Sequence, residues 1–216
     1  MTIRFTTFSE CGPRDKNEDY IKCECEGDCG IFVLCDGMGG HDNGEIASRL
    51  VAETIVYSFQ KNAQTLSLQE RVISSCENAK SEIDNCKDMG TTVALVAIKD
   101  NFAVLAHSGD SRIYQIRNGR IIYQSVDHIA ISPSGNSVIT RAFYPKTVNY
   151  KPDIETATIE KNDKILICSD GVFGNGKWSA LNDVLRAENF TINDVYEVAT
   201  HKAHDNYSAI LIEVIE

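Results

Sequence analysis

The chain is short of positive charge, of proline and of long apolar runs. Lysine and arginine number 21 against 31 aspartates and glutamates, a formal net charge of −10. Nucleic acid and anionic membrane surfaces are held by clustered Lys and Arg, so neither is expected as a partner. An acidic chain still binds phosphate when metal ions supply the positive field. No stretch approaches the roughly 18 apolar residues that span a bilayer. The opening MTIRFTTFSE lacks the charged-then-apolar run of a signal peptide. A cytoplasmic location is the expectation. Only four prolines occur, with no internal repeat, low-complexity tract or Pro/Gly/Ser linker, so one domain spanning 1–216 is expected.

What is present is an ordinary globular balance, 43% hydrophobic and 24% charged, enough for a real core. Eight cysteines are expected to be reduced thiols in a cytosolic chain. Cys23, Cys25 and Cys29 are close together, but they lack C-x₂-C spacing and a fourth zinc ligand; they read as thiols on a strand and turn.

Short β-like runs dominate. Gly30–Cys35 is continuously apolar, as in a strand buried on both faces. Ile3–Phe8, Thr92–Ile98, Phe102–His107, Arg112–Ile116, Arg120–Tyr123, Ile154–Ile159, Lys164–Cys168 and Tyr207–Val214 are further candidates. Asn118-Gly119 is a strong hairpin signal. Helical spacing covers Glu45–Phe59 (Ala47, Leu50, Val51, Thr54, Ile55) and Leu68–Cys86 (Val72, Cys76, Ala79, Ile83, Cys86). Ser67 and Glu70 have capping-box spacing before the second, and Thr191 with Asp194 repeat it later. This order predicts an α+β fold with antiparallel sheets and segregated helices.

The acidic residues carry the chemistry. Asp36 ends the GIFVLC run before Gly37, Asp170 follows KILICS before Gly171, and Asp205 precedes the last strand. Glu18-Asp19 lies in Asn-Glu-Asp, and Asp110 in Gly-Asp-Ser-Arg between two strands. One Asp-Gly alone is a turn. Repeated carboxylates at strand ends, with glycines opening the backbone, suit a hard-cation site.

Taken in order, these segments resemble the protein phosphatase 2C (PPM) family of metal-dependent serine/threonine phosphatases. They are Gly12-Pro13-Arg14-Asp15-Lys16-Asn17-Glu18-Asp19, Asp36-Gly37-Met38-Gly39-Gly40-His41, Gly90-Thr91-Thr92, Gly109-Asp110-Ser111-Arg112, Asp127-His128, Thr140-Arg141-Ala142, Ser169-Asp170-Gly171 and Asp205-Asn206. The likeness runs from about residue 3 to the C-terminus. It implies a four-layer αββα sandwich, two stacked antiparallel sheets flanked by helices. It implies hydrolysis of phosphoserine and phosphothreonine in proteins by a metal-activated water, with Mg²⁺ or Mn²⁺ as cofactor.

By the same resemblance, Asp36 bridges two metals. Asp170 and Asp205 help hold one, and Glu18 with the Gly37 carbonyl holds the other. Asp19 orients water, Arg14 grips the substrate phosphate, and Asp110 with Asp170 offers a third, weaker metal position. A phosphorylated protein is the implied substrate, with a serine/threonine kinase as the opposing enzyme in signalling. The chemistry is consistent: two metals neutralise the phosphate dianion and acidify a water, and a guanidinium fork matches phosphate oxygens.

The chain departs from the family at Met38, where eukaryotic members often carry a His proposed as general acid. His41 and His128 are substitutes by type, and each reads first as structural. The flap segment is cut to Ile129–Ile139, so it is expected to be short or absent. Three other readings compete. A cysteine-dependent phosphatase needs Arg six residues after Cys, and none of the cysteines has one. Gly171 to Gly176-Lys177 matches G-x₄-G-K, but Trp178 follows where a P-loop needs a hydroxyl. A non-catalytic phosphatase-fold sensor would usually lack a metal carboxylate, and Glu18, Asp19, Asp36, Asp170 and Asp205 are all present.

Overall fold

The structure is a computed structural model and describes residues 1–38, 43–61, 66–174 and 176–215. Its strands are β1 (Ile3–Glu10), β2 (Asp19–Glu26), β3 (Cys29–Asp36), β4 (Val93–Lys99), β5 (Phe102–Ser108), β6 (Arg112–Arg117) and β7 (Arg120–Gln124). They continue with β8 (Ile129–Ile131), β9 (Ser137–Ile139), β10 (Asp153–Thr158), β11 (Lys164–Cys168) and β12 (Tyr207–Val214). The helices are α1 (Gly44–Lys61), α2 (Leu68–Ile83), α3 (Asp170–Phe173), α4 (Trp178–Leu185) and α5 (Ile192–Thr200).

Two five-stranded sheets have the orders β1-β12-β11-β6-β7 and β10-β5-β4-β3-β2, and every pairing is antiparallel. Alternation along the strands explains the layers. On β3, Phe32 and Leu34 face the core between the sheets, where Ile165, Ile167, Ile210 and Ile212 meet them. Ile31, Val33 and Cys35 face the other way, onto Val51, Ile55, Val72 and Ala79 of α1 and α2. Leu166, Cys168 and Leu211 pack against α3–α5 through Val172, Leu181 and Val195. The result is the α+β four-layer sandwich.

Local signals fall where expected. Asn118 and Gly119 take positive φ at 51° and 67° and join β6 to β7. At α2 the Ser67 N–H donates to Glu70 Oε2 at 2.9 Å, and the Glu70 N–H donates back to Ser67 Oγ at 3.3 Å. At α5 the Thr191 N–H donates to Asp194 Oδ2 at 2.7 Å. The α2 helix stops at Ile83, so Cys86 packs on the core from beyond its end. All eight cysteines are free, with Cys23 and Cys25 on β2 and Cys29 opening β3. Residues 129–139, where the flap is expected to be short or absent, form a small, mostly exposed hairpin, β8–β9.

Candidate active site

Antiparallel pairing brings the acidic strand ends to one rim of the sandwich. Asp19 opens β2 directly opposite Asp36, which closes β3. In the other sheet β11 stops at Cys168 and β12 starts at Tyr207, leaving Ser169-Asp170 and Asp205-Asn206 at the same end. Gly109-Asp110 leave the end of β5.

Neutral side chains bind these ends together. Ser169 Oγ donates to Asp19 Oδ2 at 2.8 Å and accepts from the Ser208 N–H at 3.0 Å, which ties one sheet to the other. The Asp36 N–H donates to Thr92 Oγ1 at 3.1 Å, and the Thr92 N–H donates to Asp36 O at 2.9 Å. Thr91 Oγ1 also donates to Asp36 O at 2.8 Å. Thr92 Oγ1 lies 2.8 Å from Ser111 Oγ, so one threonine joins the Asp36 segment to the Asp110 segment. Asn206 holds the 11–18 loop: its Nδ2 donates to Cys11 O at 2.7 Å and Lys16 O at 2.8 Å, and its Oδ1 accepts from the Glu18 N–H at 2.9 Å. Sequence reasoning gave Thr91, Thr92 and Asn206 no role; their places in recurring short motifs were the only signal.

Glycines let the backbone close around Glu18. The Gly37 N–H donates to Glu18 O at 3.0 Å. A Cβ at Gly44 would stand 2.7 Å from Glu18 Oε1, and one at Gly37 would stand 2.4 Å from Gly44 O. The first would crowd the carboxylate itself, the second the backbone of Gly44 and Glu18.

The electrostatics report a crowd of like charge. Burial, then Asp19, Asp170, Asp110 and Asp205, pushes Asp36 well above the usual carboxylate range. Burial, then Asp170 and Asp205, lifts Asp19 to about 7 against its hydrogen bonds from Ser208 and Ser169. Asp110 also rises to about 7, through burial and Asp170. Asp170 is raised by burial and Asp205. Glu18 is raised by burial and Glu45, with Arg14 and Lys16 opposing. Asp19 Oδ1 is buried with no hydrogen-bond partner among the described residues. Carboxylates crowded in this way, one with an orphaned oxygen, fit divalent cations that take hard oxygen ligands.

The remaining candidates are placed as follows. Arg14 Nη2 donates to Asp205 Oδ2 at 2.7 Å, so the proposed phosphate grip rests on a proposed metal ligand. Met38 donates its N–H to Gly90 O at 3.0 Å, and its methyl covers Gly90, where a Cβ would lie 2.1 Å from Cε. Gly39, Gly40 and His41 lie outside the described residues. His128 has both ring nitrogens engaged, Nδ1 with the Gly109 N–H at 3.1 Å and Nε2 with Asp153 Oδ2 at 2.9 Å. Lys177, the lysine of the P-loop-like match, is buried and donates to Gly171 O at 2.6 Å and Ala199 O at 2.9 Å. Asn175 of that match is outside the described residues. A cavity of about 600 Å³ lies near Arg4, Lys164 and Phe190, at the start of β11 and the end of β12. None of the candidate acids lines it.

The protein phosphatase 2C family model matches residues 14–214. A putative protein phosphatase 2C-type of Streptococcus pyogenes is 29% identical over 184 residues, covering 74% of each chain. Protein phosphatase PhpP of Streptococcus pneumoniae is 28% identical over 200 residues, 81% of this chain and 80% of that one. The solved catalytic domain of serine/threonine protein phosphatase PstP, in complex with two manganese ions, superposes with a TM-score of 0.79 at 26% identity over 99% of both chains.

Proposed function

The chain belongs to the protein phosphatase 2C family, and from that premise we propose how its own residues carry out the reaction. It is a metal-dependent serine/threonine phosphatase that hydrolyses phosphoserine and phosphothreonine in proteins, with Mg²⁺ or Mn²⁺ as cofactor. The observation that supports the residue roles best is the convergence of Asp19, Asp36, Asp110, Asp170 and Asp205 in one electrostatically coupled group.

Asp36 is raised by Asp19, Asp170, Asp110 and Asp205 together and is proposed to bridge two cations. Asp170 and Asp205 would hold one, and Glu18 with the Gly37 carbonyl the other. Asp110 with Asp170 would form a weaker third position. When bound, the cations supply the positive field for the phosphate and lower the pKa of a water. Asp19, fixed by Ser169 through Oδ2, would use its unpartnered Oδ1 to orient that water. Arg14 is half exposed and turns its fork to the substrate phosphate. Met38 has no proton to give, so water is the proposed donor to the leaving alkoxide.

The chain is read as a single catalytic domain whose flap is reduced to β8–β9. A serine/threonine kinase supplies its substrates, and the cytoplasm is its proposed setting. No helix among the described residues is long and apolar enough to cross a membrane. Phosphate release from a phosphothreonine peptide, with Mn²⁺ and with chelator, tests the reading. Metal-dependent turnover is expected; binding without turnover would show a sensor module instead.

A further inference from the structure

We infer that His128 is a positioning residue for Asp110, acting through the backbone of Gly109. Both polar backbone groups of Gly109 end on this one residue. The Gly109 N–H donates to His128 Nδ1 at 3.1 Å, and Gly109 O accepts from the His128 N–H at 2.9 Å. Gly109 has little latitude of its own. Its φ is +120°, and a Cβ would lie 2.6 Å from Thr92 Cβ and Cγ2, so only glycine fits. The clamp therefore sets the direction in which the chain delivers Asp110 to the acidic group.

His128 is itself braced. Its Nδ1 faces a donor and so carries no proton; the proton is on Nε2, directed at Asp153 Oδ2 at 2.9 Å. Arg141 pairs with the other oxygen of Asp153. The ring stacks on His107 at 4.5 Å and 10°, and His107 Nε2 donates to Val126 O at 2.8 Å. Beside it, Arg112 forks onto Asp127 at 2.8 and 2.7 Å. Three side-chain links thus strap residues 107–112 to residues 126–128.

His107, His128 and Asp153 are close enough to suggest a cation site of their own. The hydrogen bonds argue otherwise. The bare nitrogen of His128 is already taken by the Gly109 N–H, and its other nitrogen carries the proton directed at Asp153. The trio is a brace behind Asp110.

The inference rests on the proposed role of Asp110 at a weak metal position. Two substitutions separate the two ring bonds, and both leave the backbone bond from the residue 128 N–H to Gly109 O in place. In His128→Asn the amide oxygen replaces Nδ1 and keeps the bond from the Gly109 N–H. In His128→Gln the amide nitrogen replaces Nε2 and keeps, of the ring's two bonds, only the one to Asp153. The first measurement, on metal-free protein, is the NMR signal and exchange protection of the Gly109 amide. The second is Mn²⁺ binding by calorimetry. His128→Gln is expected to lower that protection and weaken the low-affinity Mn²⁺ phase, each roughly tenfold, with the tight phase and the KM for phosphopeptide unchanged. His128→Asn is expected to stay within about threefold of the parent. Equal behaviour of the two variants, or an unaltered weak phase in His128→Gln, overturns the inference. Asp110→Ala is the separate control. If it keeps the weak phase while the Gly109 signals still follow the Asn/Gln order, the role of Asp110 has failed rather than the clamp, and the inference falls with it.

Discussion

The guanidinium of Arg14 lies 2.7 Å from Asp205 Oδ2 and 3.4 Å from His204 O. The cation proposed to hold substrate phosphate is thus parked on a carboxylate proposed to hold metal. Arg14 reduces the repulsion in the acidic group, lowering both Glu18 and Asp170.

Arg14→Ala is expected to raise KM for a phosphopeptide about tenfold or more, the scale of one charge-assisted hydrogen bond, with a smaller loss of kcat. Arg14→Lys should recover part of this, because an ammonium lacks the bidentate fork. Steady-state kinetics at saturating Mn²⁺ checks it. An unchanged KM would leave Arg14 with only its pairing to Asp205.

The acids also make the metal-free protein sensitive to pH. Asp19 and Asp110 are raised to about 7, so the folded state binds their protons more tightly than the unfolded chain. Their contribution is fully present below the ordinary carboxylate range and is lost as pH rises through about 7, by up to roughly 1.4 kcal/mol per pH unit for each group. Carboxylates with lowered values, such as Asp84 and Asp153, finish titrating below this window. Urea unfolding in chelator between about pH 5 and pH 7.5 should therefore show falling stability, and Mn²⁺ should flatten the slope. Rising stability without metal would contradict the coupling.

Much of this arrangement was legible in the sequence. The β3 strand showed as an unbroken apolar run because both its faces are covered, and the α2 start showed in Ser67 and Glu70. The acids were visible because each stands at a strand end. By contrast β2 showed only as the strand that carries Cys23 and Cys25, without bounds: it is an edge strand, paired only to β3, and Lys22, Glu24 and Glu26 interrupt its apolar residues. The β8 and β9 strands are exposed and leave no pattern of burial. The short α3 and α4 were not placed, since one or two turns give little periodicity. The supporting contacts were also hidden. Asn206 meets the Glu18 N–H across 188 positions, and Ser169 meets Asp19 across 150; such pairs depend on how the two sheets stack.

Lys177 gives a test of that support. Its buried ammonium joins Gly171 O, next to Asp170, to Ala199 O near the end of α5. Lys177→Met leaves both carbonyls without this donor and should cost roughly 1–3 kcal/mol of stability. Urea unfolding with Mn²⁺ present reads the loss. An unchanged midpoint would show that water satisfies both carbonyls equally well.

The β8–β9 hairpin bears on specificity. Its strands are three residues each and mostly exposed, so on the proposed flap reading few side chains would reach the substrate beyond its phosphate. Across phosphoserine and phosphothreonine peptides differing only in flanking residues, kcat/KM should vary by less than about a hundredfold, some 2.7 kcal/mol. A wider spread would mean that another segment reads the flanks.

Asp36→Asn is the most direct test of the metal-centred account. Asp36 faces Asp19, Asp170, Asp110 and Asp205 and is the residue proposed to bridge both tight cations. Calorimetric Mn²⁺ titration of this variant, paired with phosphate release from a phosphothreonine peptide, is the measurement. Loss of the tight binding phase together with turnover, in a protein that remains folded, is the result expected. Parent-like turnover at saturating Mn²⁺ would contradict the account.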